Sequence, residues 1–92
     1  MALQINLRNG VCMIEGSINT TTAKMFKSHV KSLMDKIGNV TINIDNVKEI
    51  DVTGLSVLRE FYLNHKNSKG AFSITGNGCK EIYHDFKTYG IA

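Results

Sequence analysis

The sequence predicts an α/β fold: a four-stranded mixed sheet, built as a β-hairpin followed by two right-handed β-α-β units, with three helices mainly on one face. Three observations predict it. Apolar residues alternate with polar ones at strand period in residues 3–7 and 40–44. Asn9-Gly10 follows the first of these stretches and is the strongest two-residue hairpin signal, because both turn positions need positive φ. Three later segments carry apolar residues at steps of three and four, the spacing of a helix laid on a core.

Leu3, Ile5 and Leu7 alternate with Gln4 and Asn6 in the first strand, and Val11 to Glu15 makes the return, ended by Gly16 and Ser17. Asn19 to Thr22 is rich in capping residues and opens a helix whose stripe is Ala23, Phe26, Val30, Leu33 and Ile37; Gly38-Asn39 stops it. Val40, Ile42 and Ile44 mark the third strand. Their alternation with Thr41 and Asn43 favours a sheet covered on one face, since a strand covered on both reads as a continuous apolar run. Asp45 to Ile50 reads as a loop anchored by Val47 and Ile50. A second helix is expected from about Thr53 to His65, a turn at Ser68-Lys69-Gly70, and a fourth strand over Ala71 to Thr75. Gly76-Asn77-Gly78 leads to a last helix with Cys79, Ile82, Phe86 and Tyr89 inward and Gly90 as terminator. Crossovers of this kind are right-handed and pair their strands in parallel. The predicted core is Ile5, Ile14, Phe26, Val30, Leu33, Ile42, Ile44, Leu58, Ile74, Ile82 and Phe86.

Ninety-two residues make a single domain, 1–92, with one core and no second lobe. No apolar run reaches the ~20 residues that span a bilayer, and the N-terminus lacks the basic and apolar stretches of a signal peptide, so a cytoplasmic protein without membrane insertion is expected. Cys12 and Cys79 are far apart and read as free thiols. The net charge of +3 comes from Lys and Arg spread along the chain, which argues against a nucleic-acid surface. His29, His65 and His84 fall in separate helices and pair at no metal-ligand spacing; no metal or other cofactor is expected. No Ser-His-Asp or Cys-His order can be assembled, and Asp45 and Asp51 read as caps rather than as a paired acid and base. The chain is therefore expected not to be an enzyme.

The most informative stretch is residues 45–55, Asp-Asn-Val-Lys-Glu-Ile-Asp-Val-Thr-Gly-Leu. It resembles the motif of the STAS domain family, the domain of sulphate transporters and anti-sigma-factor antagonists, whose members read like Asp-Ser-Ser-Gly-Leu or Asp-Thr-Ala-Gly-Leu here. Gly16-Ser17-Ile18-Asn19 stands where relatives have a Gly-Glu-Leu-Asp-like lead-in to the first helix, and Asn43 to Val47 where they have an Asn-Leu-Glu-Asp-Leu-like strand end. The predicted element order matches the family over nearly the whole chain.

The resemblance implies a regulatory protein-binding module of the anti-sigma-factor-antagonist type. Its partner-binding surface would lie at the start of helix two, at Asp51, Val52, Thr53, Gly54, Leu55 and Leu58. The family's phospho-acceptor is the residue after the Asp, and Val52 in that place has no hydroxyl. Thr53 is the nearest possible phosphorylation site. One residue around a helix start swings a hydroxyl through a large angle, so Thr53 does not replace an acceptor at position 52. Implied partners are an anti-sigma factor of the GHKL kinase type or, alternatively, the ATPase of a lipid-transport ABC system served by a STAS accessory subunit.

Overall fold

The hairpin forms where Asn9-Gly10 predicts it. β1 (Gln4–Arg8) pairs antiparallel with β2 (Val11–Ile18), from Gln4↔Glu15 to Arg8↔Val11. The turn has φ of 49° at Asn9 and 83° at Gly10, the left-handed geometry that these residue types tolerate. The computed structural model describes residues 3–65 and 72–90, the side chain of His65 excepted.

Next come α1 (Ala23–Ile37), β3 (Val40–Ile50), α2 (Val52–His65), β4 (Phe72–Thr75) and α3 (Cys79–Thr88). The sheet order is β1-β2-β3-β4, with β3 parallel to both β2 and β4. Buried strand residues all lie on one side. Cys12, Ile14 and Ile18 of β2, Val40, Ile42 and Ile44 of β3, and Phe72 and Ile74 of β4 meet Phe26 and Val30 of α1, Leu58 and Phe61 of α2, and Ile82 and Phe86 of α3. The other side carries Asn6, Glu15, Asn43 and Thr75. The architecture is thus two layers, helices over one face.

Several expectations are corrected. β2 does not stop at Glu15: it continues through Gly16, whose φ of 111° suits glycine, and ends at a fully buried Ile18. Residues 45–50 are strand, not loop. β3 carries one extra residue between Asn43 and Asn46 and another between Val47 and Glu49, relative to the β2 residues they pair with. Each bulge reverses which face the following residue takes. Val47 and Ile50 therefore return to the core side, half-buried, as extensions of the Val40-Ile42-Ile44 row.

In α1 the inward row is Ala23, Phe26, Val30 and Met34; Leu33 is only half-buried and Ile37 is exposed. Ile5 is likewise half-buried, because β1 lies at the sheet edge. Tyr89 does not join the α3 core row; it follows the helix end, 63% exposed. The expected turn at 68–70 and the first residue of the expected fourth strand, Ala71, lie outside the described residues.

α2 is the central helix. Phe61 stacks on Phe72 with ring centroids 5.5 Å apart and meets Phe26 edge-on at 6.4 Å. Tyr62 packs on Phe86 at 5.0 Å. Arg59 forks onto Asp85 of α3, Nε to Oδ2 at 2.8 Å and Nη2 to Oδ1 at 3.1 Å, and lies 4.0 Å above the Tyr89 ring. Lys27 of α1 pairs with Glu60 on the other flank at 2.9 Å.

Candidate functional site

β2 and β3 end side by side, Ile18 opposite Ile50, and the chain leaves both strands at the same point. The Asp51 N–H donates to the Ile18 carbonyl at 3.1 Å, so the start of α2 is tied to the end of β2 by backbone. The loop after β2 is itself locked. Asn19 Oδ1 accepts from the N–H groups of Thr21 and Thr22, and the Thr22 hydroxyl donates to the Ser17 carbonyl at 2.6 Å. Thr22 is buried, and the loop holds Thr20 at its surface.

Asp51 joins the two loops. Its Oδ1 accepts from the Gly54 N–H at 2.9 Å, which caps α2 in the manner expected of an Asp at a helix start. Its Oδ2 accepts from the Thr20 N–H at 3.2 Å and the Thr20 hydroxyl at 3.4 Å. The Thr20 and Thr53 hydroxyls are 3.1 Å apart, and with Thr20 donating to Asp51, Thr53 is the donor between them. The Gly54 N–H is the main influence holding the Asp51 carboxyl below the usual carboxylate range, with the Thr20 and Thr53 N–H groups and the Thr20 hydroxyl acting in the same direction.

The six residues singled out in the sequence divide by direction. Val52 is 77% exposed, Thr53 is exposed, and Asp51 and Leu55 are half-buried. Gly54 faces the sheet. A Cβ there would fall on the Ile18 carbonyl oxygen, so the glycine is needed for α2 to sit against β2. Leu58 is fully buried in the core. The outward surface is therefore Val52 and Thr53 with the edges of Asp51 and Leu55, while Gly54 and Leu58 hold it in position.

Thr20 belongs to this surface and was missed in the sequence. It lies 31 residues from Asp51, inside a run of capping residues, and no local pattern distinguishes it from Thr21. Asp45 serves a second helix start: its Oδ1 accepts from the Asn77 N–H at 2.7 Å in the turn before α3. His29 and His84 are exposed, and among the described residues no group of His, Cys, Asp and Glu is placed to hold a metal ion. Cys12 is buried, which raises its thiol pKa; Cys79 is half-buried, and both are free. One recess, of about 500 Å³, lies at the hairpin between Asn6, Arg8, Met13 and Glu15; another, of about 210 Å³, lies between Val47, Ile50, Asn77 and Ile82. Neither includes Asp51 or Thr53. No described helix is long and apolar enough to cross a membrane.

Comparison with known proteins agrees with this geometry. The family model described as STAS domain matches residues 1–91. Among solved structures, an anti-sigma factor antagonist from Mycobacterium paratuberculosis superposes with a TM-score of 0.71 at 16% identity, over 98% of this chain and 81% of its own. The anti-sigma factor antagonist SpoIIAA in its unphosphorylated form superposes with a TM-score of 0.66 at 9% identity, over 90% of this chain and 82% of its own. No curated protein sequence matches.

Proposed function

This chain belongs to the STAS domain family, and from that premise we propose that it is a regulatory protein-binding module of the anti-sigma-factor-antagonist kind. Its partner docks on the start of α2, and the family's phosphorylation switch is absent. The observation that carries the reading is Val52. A branched apolar side chain stands 77% exposed on a turn whose polar groups are held by Asp51, Thr20 and Gly54. Hydrogen bonds within the chain already hold this turn, so docking there would order little new chain. Thr53 shares its hydroxyl with Thr20 beside the Asp51 carboxylate. A phosphate there would add charge next to a carboxylate, which like-charge repulsion opposes.

The proposed role needs no catalytic step; in it Asp51 and Asp45 serve as acceptors for backbone N–H groups. The proposed partner is an anti-sigma factor of the GHKL kinase type, met in the cytoplasm. The absence of a hydroxyl at position 52 also suits a permanent subunit, and this favours the second reading, an accessory protein on the ATPase of a lipid-transport ABC system.

The wild-type chain, used as bait, distinguishes the two by whether a GHKL-type kinase or a transporter ATPase is recovered and identified. With that protein purified, Val52→Asp is expected to weaken binding at least about tenfold, the effect of placing a charge in an apolar contact beside Asp51. Equal affinity of wild type and variant would remove this turn from the interface. Incubation of the wild type with ATP and the kinase should leave Thr53 unmodified by mass spectrometry, while Val52→Ser should gain a phosphate. Stoichiometric phosphate on wild-type Thr53 would overturn the account of the missing switch.

A further inference from the structure

The two edges of the sheet are treated differently. At β4 the Ile74 N–H donates to the Tyr83 hydroxyl at 2.8 Å, so a side chain of α3 closes part of that edge. Among the described residues, β1 at the other edge has no such guard. It contains no proline, runs in unbroken register against β2, and its only charge is Arg8 at its end. Natural edge strands are usually blunted by proline, a bulge or a charge placed along the strand.

The hairpin decides which backbone groups of β1 face outward. Arg8 and Val11 flank a two-residue turn, and such a pair exchanges both of its N–H···O bonds. Alternation then turns Gln4, Asn6 and Arg8 toward β2. The N–H and C=O groups of Ile5 and Leu7 point to the free side. The side chains of the same two residues lie on the helix face, where Ile5 is half-buried and Leu7 is 51% exposed.

We propose that this chain forms a two-fold dimer by antiparallel pairing of β1 with β1 of a second copy, centred on Asn6. That register overlaps all five residues of the strand. Ile5 then faces Leu7 of the second copy, and the outward groups of each pair bond to one another, at both symmetric positions. On the helix face each exposed Leu7 is covered by an isoleucine. On the opposite face Arg8 meets Gln4, so the cation faces an amide and not its own copy, and Asn6 meets Asn6. Centring on Ile5 or on Leu7 overlaps only part of the strand and leaves one end of it unpaired. The product is a continuous eight-stranded sheet with the helices of both copies on the same side. The surface is distinct from the start of α2: β1 pairs with residues 11–15 of β2, whereas α2 begins against Ile18.

Sedimentation of the purified chain from about 1 μM to about 1 mM tests this, together with amide exchange at both ends of that range. The mass is expected to rise from 10.2 kDa toward twice that value. The Ile5 and Leu7 amides should exchange freely when dilute and slow at least about tenfold when concentrated, while Asn6 is protected throughout. Leu7→Lys, at a position already exposed, should keep the circular dichroism of the wild type and raise the dissociation constant more than about tenfold. A monomer across the whole range overturns the proposal. So does a dimer in which the Ile5 and Leu7 amides exchange at a rate independent of concentration, or one that Leu7→Lys leaves intact.

Discussion

At Asp51 one carboxylate oxygen serves the start of α2 and the other serves the loop after β2. The residue therefore matters in its charged form, since every partner is a donor. Its folded pKa lies below the unfolded value of about 3.9. The resulting stability is fully present above that value and is lost as pH falls through the folded pKa. Asp51→Asn keeps an acceptor for the Gly54 N–H but has no charge to lose. The urea midpoints of wild type and Asp51→Asn are thus expected to differ at pH 7 and to converge as pH drops below about 4. A gap that stays constant to pH 3 would show that the charge of Asp51 contributes nothing to folding. At the same scale, sequence identified Asp51 as a cap but not its second partner, because Thr20 meets it only through the tertiary pairing of Ile18 with Ile50.

Between elements, the Ile74 N–H of β4 donates to the Tyr83 hydroxyl of α3, and the Tyr83 ring is held in place by Phe86 of its own helix and Tyr62 of α2. Tyr83→Phe keeps the ring and removes the acceptor. It should cost about 1 kcal/mol, the usual price of one part-buried hydrogen bond, and should speed exchange of the Ile74 amide. An unchanged urea midpoint with an unchanged Ile74 exchange rate would mean that water serves that N–H equally well. The elements themselves were largely legible in the sequence. Residues 40–44 alternate cleanly and form the predicted half of β3. The rest of β3 was hidden because the two bulges turn alternation into steps of three, Ile44 to Val47 to Ile50, and that spacing is read as irregular chain. In α1 the apolar residues Leu33, Met34 and Ile37 offer two possible rows. Only packing on the sheet selects Met34, which makes the inward steps three, four and four.

For the molecule as a whole, α1, α2 and β4 meet along the line Phe26, Phe61 and Phe72. Phe26 has no exposed surface, and Phe26→Ala should cost roughly 3–5 kcal/mol. Against a total of about 5–15 kcal/mol for a typical domain, that loss should move the urea midpoint far down. An unchanged midpoint would place Phe26 outside the core. The layer arrangement was legible from the polar residues between Val40 and Ile44, which face away from the helices. The reach of that layer over the hairpin was not, because alternation tells which way Leu7 points and not whether a helix extends above it.

The order of strands in space is also their order along the chain. During synthesis no strand has to insert between two that are already paired; each can add at the growing edge as it leaves the ribosome, which keeps contacts local and folding fast. Thr20, Asp51, Val52 and Thr53 are all made before β4 and α3 exist. The turn at the start of α2 can therefore take its final geometry on a nascent chain, and β4 and α3 arrive to seal the far side of α2.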